Sequence, residues 1–290
     1  MIYLYTPYFN EKIIMQIRAE SDAQWASELH ICETNYTFKK KYKDYNFPEQ
    51  FKEKEFIHYH PVDMKYRFVP DNKIGKLMLA PYRMIKDTYY HTLAMPAWYN
   101  EGVQRNQVSK FLAPKDDDFV IVSDVDEILS PECVKELLEC SKRYGIATCR
   151  LYFTMYYFNL FVKEWGGPEG YSYRLFAMTG KFFNNLNISS DMLRKKGERG
   201  QLYNDVYLLD KFCGFHHSWL GDSKAVADKL HAYAHSESEH RNNTAESIAD
   251  CVHKGKNIVN GAELSPRDDV KLIDAVEKLR EQHKELFWEA

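Results

Sequence analysis

Phe119-Val120-Ile121-Val122-Ser123-Asp124-Val125-Asp126 is the stretch on which the fold turns. Four apolar residues in a row, led in by the acidic loop Asp116-Asp117-Asp118, read as a strand buried on both faces. Its end is acidic. Side chains alternate along a strand, so Asp124 and Asp126 are expected to project to one side and converge while Val125 faces the other and packs. Working outward, Ser130-Pro131-Glu132 offers an N-cap, a proline at the first helical position and an early acid, which predicts a helix to about residue 144.

Upstream, residues 2–6 form a short apolar and aromatic run ended by Pro7, and a helical pattern covers 11–25. Residues 28–34 (ELHICET) and 55–62, closed by Pro61, read as two further strands, and 98–112 is again helical. Downstream, 146–158 and 173–178 read as strands and 225–234, 245–254 and 268–288 as helices. Strands alternating with helices predict an α/β fold with a mixed, mostly parallel central sheet flanked by helices. Residues 63–96 mix Pro, Gly and basic residues with weaker periodicity and read as an irregular segment. No internal repeat, low-complexity tract or linker interrupts the chain, so one domain is expected over 1–290. It divides into a ligand-binding half over 1–130, a second half over 131–260 and a C-terminal helix over 261–290.

The composition, 44% hydrophobic and 28% charged, is that of a globular protein. A formal charge of −3 with a pI near 6.4 leaves no basic field to release counterions, which argues against nucleic acid as a partner. The N-terminus has no basic and apolar leader pattern, and no segment has the apolar length of a membrane span, so a cytoplasmic protein is expected. The six cysteines include no C-x-x-C pair and read as reduced thiols rather than a zinc site. The chain is rich in aromatic residues, 15%, which suits either sugar stacking or a tyrosine-rich core and surface.

Ligands of open α/β sheets bind beyond the carboxyl ends of the strands, where Asp124 and Asp126 sit. Oxygen ligands there suit Mn²⁺ or Mg²⁺, which would bridge a diphosphate. A phosphatase of the haloacid-dehalogenase type also ends an apolar strand in D-x-D, with the first Asp as nucleophile, but continues with Gly-Thr where this chain has Glu127-Ile128. That reading ranks second. A carbohydrate-binding protein without turnover is a third.

Several words spread along the chain carry a family resemblance. They are Phe9-Asn10-Glu11 with Ile17-Arg18, Glu33-Thr34-Asn35-Tyr36-Thr37-Phe38, Asn100-Glu101-Gly102-Val103-Gln104-Arg105-Asn106-Gln107, and Asp117 to Ile128 with Ser130-Pro131-Glu132. Gly214-Phe215-His216-His217-Ser218-Trp219, Lys229-Leu230 and Ala234-His235-Ser236-Glu237 follow in order. On these the sequence resembles glycosyltransferase family 17, the family of the enzyme that adds bisecting N-acetylglucosamine to the β-mannose of N-glycans. The resemblance implies a GT-A-type nucleotide-diphospho-sugar transferase fold, a metal-bound donor such as UDP-GlcNAc, a glycan acceptor and inversion at the anomeric carbon. Two departures stand out: a membrane anchor like that of the Golgi members is not expected, and the family's Trp-His-Cys-Ser segment reads Phe215-His216-His217-Ser218.

Site residues follow from these readings. Thr6, Glu33 and Asn35, at the ends of the first two strands, are expected to contact base or ribose. Arg105 and Asn106 resemble the Arg-Asn step that touches the nucleotide in transferases of this fold. Asp124 and Asp126 are the expected metal ligands, with His216, His217 and His235 as candidates for a third and His235 preferred. Lys229 and Arg174 are candidates to balance diphosphate charge. An inverting transfer also needs a general base. Glu169, Asp191, Asp205, Asp210 and Glu237 are available, with Asp205 the choice. Residues 166–170 read as a loop near the acceptor, with Trp165 as a sugar platform.

Overall fold

The computed structural model describes residues 1–64, 96–163, 171–186, 189–198, 206–232, 244–258 and 260–289. Its backbone is one sheet of eleven strands, built around the apolar run that opens the sequence reading. β1 (Ile2–Tyr8), β2 (Glu28–Thr34), β3 (Ile57–Val62) and β4 (Phe119–Val122) are mutually parallel in the order β3-β2-β1-β4. Beyond β4 the sheet turns mixed. β9 (Phe176–Thr179) pairs antiparallel with β4 and with β6 (Ile146–Met155), and β10 (Tyr207–Ser218) runs parallel to β6. β5 (Glu127–Leu129), β7 (Leu160–Val162), β8 (Tyr171–Ser172) and β11 (Leu264–Pro266) are short additions. The result is the mixed, mostly parallel α/β sheet that the sequence led us to expect.

Central position explains the composition of β4. Ile121 packs on one face with Leu4, Ile31 and Ala177, against α1 (Lys12–Ser21) and α5 (Pro131–Tyr144). Val120 and Val122 pack on the other with Tyr5, Cys32, Val108 and Leu193. The helices of that face are α3 (Pro96–Arg105), α4 (Val108–Phe111) and α7 (Ser190–Glu198). A strand covered twice has no solvent face on which to alternate. The remaining helices are α2 (Glu49–Lys52), α6 (Gly180–Asn184), α8 (Ser223–Ala232), α9 (Ala245–His253) and α10 (Asp274–Glu277). None is long and apolar enough to cross a membrane, among the described residues.

Both prolines expected to close strands lie inside them. Pro7 continues β1 two residues beyond Tyr5, the last residue paired with β4, so its missing N–H is directed past the end of the neighbouring strand. Pro61 is tolerated because β3 is the edge strand. The helix expected over 268–288 is instead the single turn of α10 with a 3₁₀ turn at Lys284–Leu286. Ile273, Ala275, Val276 and Leu279 bury one turn, but 280–285 has no apolar residue to give a longer helix a buried face before Leu286 and Phe287 rejoin the same core.

Candidate functional site

The acidic motif does not extend β4. The strand stops at Val122, and residues 124–127 make a turn closed by the Glu127 N–H donating to the Asp124 carbonyl at 3.1 Å. The two aspartates therefore diverge from a turn instead of sharing one face of a strand. Arg18 fixes that turn from beneath. Reaching up from α1 and only 1% exposed, it donates from Nε to the Val125 carbonyl at 2.7 Å. From Nη2 it donates to the carbonyls of Asp124 and Glu127 at 2.8 and 2.5 Å and to Ser123 Oγ at 3.0 Å. Its remaining nitrogen pairs with buried Asp22 at 2.8 Å. The sequence reading gave Arg18 no role; a basic residue on the apolar face of a helical pattern is the signal that could have marked it.

Asp124 is held by two guanidinium groups. Arg105 grips it with Nε at 3.1 Å and Nη2 at 2.9 Å, and Arg194 reaches it at 2.6 Å. Arg105 also pairs with Glu101 and Asp191, and Arg194 with Glu127, so the motif is embedded in an ionic network. Burial opposes the charge on Asp124, but Arg105 and Arg194 outweigh it and hold the carboxyl well below the usual range. Close packing of α3 on α7 makes this possible. A Cβ on Gly102 would lie 2.6 Å from the Asp191 carboxylate.

Asp126 is in the opposite condition. Its nitrogen-bearing neighbours stand off at 3.6 Å, Lys229 on one oxygen and His216 Nε2 on the other. Burial, together with the like charges of Asp124, Glu127 and Glu11, pushes its carboxyl up to about 6 even against Lys229. His216 is stacked on Phe153 and driven well below its ordinary pKa by burial and by Arg174 and Arg194, so it presents a neutral imidazole. Ligand atoms of Asp126, Glu127 and His216 lie within 4.8 Å of one another. Two carboxylates and an imidazole suit Mn²⁺. The buried, electrostatically frustrated acid is the observation that makes the fit. Gly214 sets His216 opposite Glu127 by letting β10 close on β5, since a Cβ there would meet the Ile128 carbonyl at 2.1 Å.

A crevice opens over the turn, lined by Pro7, Glu11, Arg105, Asp124, Asp126 and Lys229 among others, at the carboxyl ends of β1 and β4. A second cavity adjoins it, sharing Phe9, Glu11 and Lys229 and reaching His217 and Leu220. Lys229 bridges Glu11 at 3.2 Å and Asp126, and although burial works against its charge, those two carboxylates raise its pKa.

The other expected residues scatter. Glu33 is fully buried and accepts from Lys43, the Asn46 and Phe47 N–H groups and Tyr59, so its carboxylate organises residues 43–47 and does not face the crevice. Thr6 is equally buried, its hydroxyl near the Pro7 carbonyl at 3.3 Å. Asn35 donates to Asp63, and Asn106 accepts from the Asp191 N–H. Arg174 lines a small pocket beside Asp124, Arg105 and Arg194. Of the candidate bases, Asp191 is tied to Arg105, and Asp210 is exposed and paired with Arg150. Asp205, His235, Glu169, Glu237, Trp165 and the 166–170 loop lie outside the described residues.

No protein-family model matches the chain, and no curated protein does. Solved structures that align with it include S. aureus TarS 1–349, at 12% identity over 86% of this chain and 69% of that one, with a TM-score of 0.38. The same protein in complex with UDP-GlcNAc aligns at 11% identity over 87% and 71%, with a TM-score of 0.36. Francisella tularensis 2-C-methyl-D-erythritol 4-phosphate cytidylyltransferase aligns at 9% identity over 71% and 89%, with a TM-score of 0.30.

Proposed function

We infer that the chain is a metal-dependent, inverting glycosyltransferase that moves a sugar, N-acetylglucosamine from UDP-GlcNAc in the first instance, to a hydroxyl of a glycan acceptor. The observation that carries this reading is the pairing, on one turn at the carboxyl end of the parallel strands, of a guanidinium-locked Asp124 with an under-neutralised Asp126 beside His216. The resemblance to family 17 runs through these same segments. Asp126 and His216, with Glu127 or Asp124 completing the set, are the residues we assign to Mn²⁺ or Mg²⁺. Bound there, the cation would offset charge on the leaving nucleoside diphosphate.

The chain's own groups do the rest. Lys229, beside Asp126 and Glu11 on the crevice wall, would face the diphosphate, and Arg105, locked by Glu101, Asp124 and Asp191, keeps the floor rigid. The acceptor oxygen attacks the anomeric carbon in line as the bond to the diphosphate oxygen breaks, and its proton passes to a carboxylate. Asp205 remains our assignment for that base, and His235 a further candidate ligand. The adjoining cavity reaching His217 is where the acceptor would lie. A cytoplasmic setting fits six cysteines that are all unpaired thiols.

A phosphatase would need Asp124 as a free nucleophile, and two arginines occupy its oxygens. The test is a calorimetric titration of nucleotide-sugars with and without Mn²⁺, on the parent and on Asp126→Ala. Metal-dependent binding of one donor, lost in the variant, is expected. Equal donor affinity in the two proteins, or no donor bound at all, would overturn the assignment.

A further inference from the structure

A second cluster of metal-ligating side chains lies at the other end of the sheet. Glu28 and His30 are two residues apart on β2, and His58 is the cross-strand partner of His30 on β3, so all three side chains rise from one face. Glu28 Oε2 is 2.8 Å from His30 Nε2 and 3.7 Å from His58 Nε2, and the three ligand atoms lie within 4.8 Å of one another. Zinc–nitrogen and zinc–oxygen bonds of about 2.0–2.1 Å set tetrahedral ligands about 3.3 Å apart, a value that these two distances straddle. Glu28 opens β2 at its amino end, whereas the crevice lies past the carboxyl ends. A strand of this length separates the two by about 20 Å.

The surroundings are those of a built site. His30 is 6% exposed, and its other ring nitrogen, Nδ1, lies 2.9 Å from His60 Nε2. A ligating histidine needs an acceptor at that position to fix its tautomer and raise its basicity. His60 is held in turn by stacking on Phe111 at 3.9 Å. His58 is 42% exposed in its side chain and makes the open rim, leaving the fourth position to water.

We propose that Glu28, His30 and His58 form a site for a divalent transition-metal ion of the zinc type, with His60 as the positioning residue for His30, separate from the crevice. Two imidazoles and one carboxylate favour Zn²⁺ over Mg²⁺ or Ca²⁺. Two ligands on β2 and one on β3 make the ion a cross-link between the edge strand and the sheet.

The test uses the full chain freed of metal with a chelator and titrated with Co²⁺, followed by competition with Zn²⁺. One equivalent is expected at this site, beside any cation held at Asp126 and His216, with visible bands of a tetrahedral nitrogen and oxygen site and no thiolate charge-transfer band. Zinc at about a hundredfold excess over Kd should raise Tm by about 5 °C. His58→Ala and Glu28→Gln alter partly exposed side chains, and each should weaken uptake by at least the roughly tenfold that loss of an outer-shell partner alone costs. Asp126→Asn should leave it unchanged. Uptake that survives both edge variants, that disappears with Asp126→Asn, or that carries a thiolate band would overturn the proposal, as would failure to take up either ion.

Discussion

Replacing Arg18 with methionine keeps the length of the side chain and removes everything that holds the acidic turn. Five hydrogen bonds go at once: those to the carbonyls of Asp124, Val125 and Glu127, to Ser123 Oγ and to Asp22. Breaking one side of a buried ion pair costs about 3–5 kcal/mol because the orphaned charge stays behind. Here that charge is Asp22, fully buried, whose carboxyl burial already pushes up to about 6 with Arg18 present. Each carbonyl left bare adds about 1–3 kcal/mol unless water enters from the crevice. These figures are not additive, so about 4 kcal/mol is the expected loss in urea unfolding at 25 °C, which a domain of ordinary stability survives. The double variant Arg18→Met with Asp22→Asn removes the orphaned acid and should recover about 2 kcal/mol. Donor binding should stay lost in both, because the carbonyls that aim Asp124 and Asp126 remain unheld. A loss under about 1 kcal/mol, well below that range, or unchanged Mn²⁺-dependent donor affinity in the single variant, would show that Arg18 does not set the turn.

Gly214→Ala drives a methyl group into the Ile128 carbonyl and should cost about 2–3 kcal/mol by denaturant unfolding while weakening Mn²⁺ binding through displaced His216. Glu33→Gln should lower stability by about 1–3 kcal/mol and leave donor affinity intact, as calorimetry would report, because its four donors are all within the fold. Asp124→Asn should destabilise the metal-free protein by removing the partner of Arg105 and Arg194, whereas Asp126→Asn should stabilise it and abolish Mn²⁺ binding, both read from thermal melts and titration. The pH dependence has a definite sign. Asp126 has a folded pKa raised to about 6, so in the metal-free protein it holds its proton more tightly when folded, and its contribution is present at pH 4 and lost as pH rises toward 7. Melts of the parent and of Asp126→Asn between those values should differ by that slope.

The parallel half of the sheet was legible because its strands obey simple rules. Residues 28–34 alternate and 119–122 form an apolar run, and Ser130-Pro131-Glu132 opens a helix where expected. β10 was not legible. Its pairing with β6 shifts register between Leu209 and Phe212 and again between Phe212 and Phe215, and exposed Asp210 and Lys211 interrupt the alternation that would announce a strand. The site shows the same division. Sequence position singled out Asp124 and Asp126, since an acid after a buried strand is conspicuous, but it could not distinguish their environments. Arg194 and Arg18 arrive from helices distant in sequence, and nothing local announces that one aspartate is neutralised twice and the other scarcely at all.

That difference bears on chemistry more than the spacing does. Two carboxylates on one turn, both buried, would ordinarily push each other up. The fold resolves the conflict by giving Asp124 two guanidinium groups at hydrogen-bonding distance and Asp126 only a lysine and a neutral imidazole at 3.6 Å. Pairs of acids whose environments drive them apart have different tasks. Asp124 is already a structural anion, locking Arg105 and Arg194 under the crevice. Asp126 faces the opening with its charge under-compensated, and a cation arriving there gains from every like charge around it: Asp124, Glu127 and Glu11 all favour it. A diphosphate brought in alone would meet those same carboxylates as repulsion. Donor and metal are therefore expected to bind as a unit, with the affinity of each depending on the other.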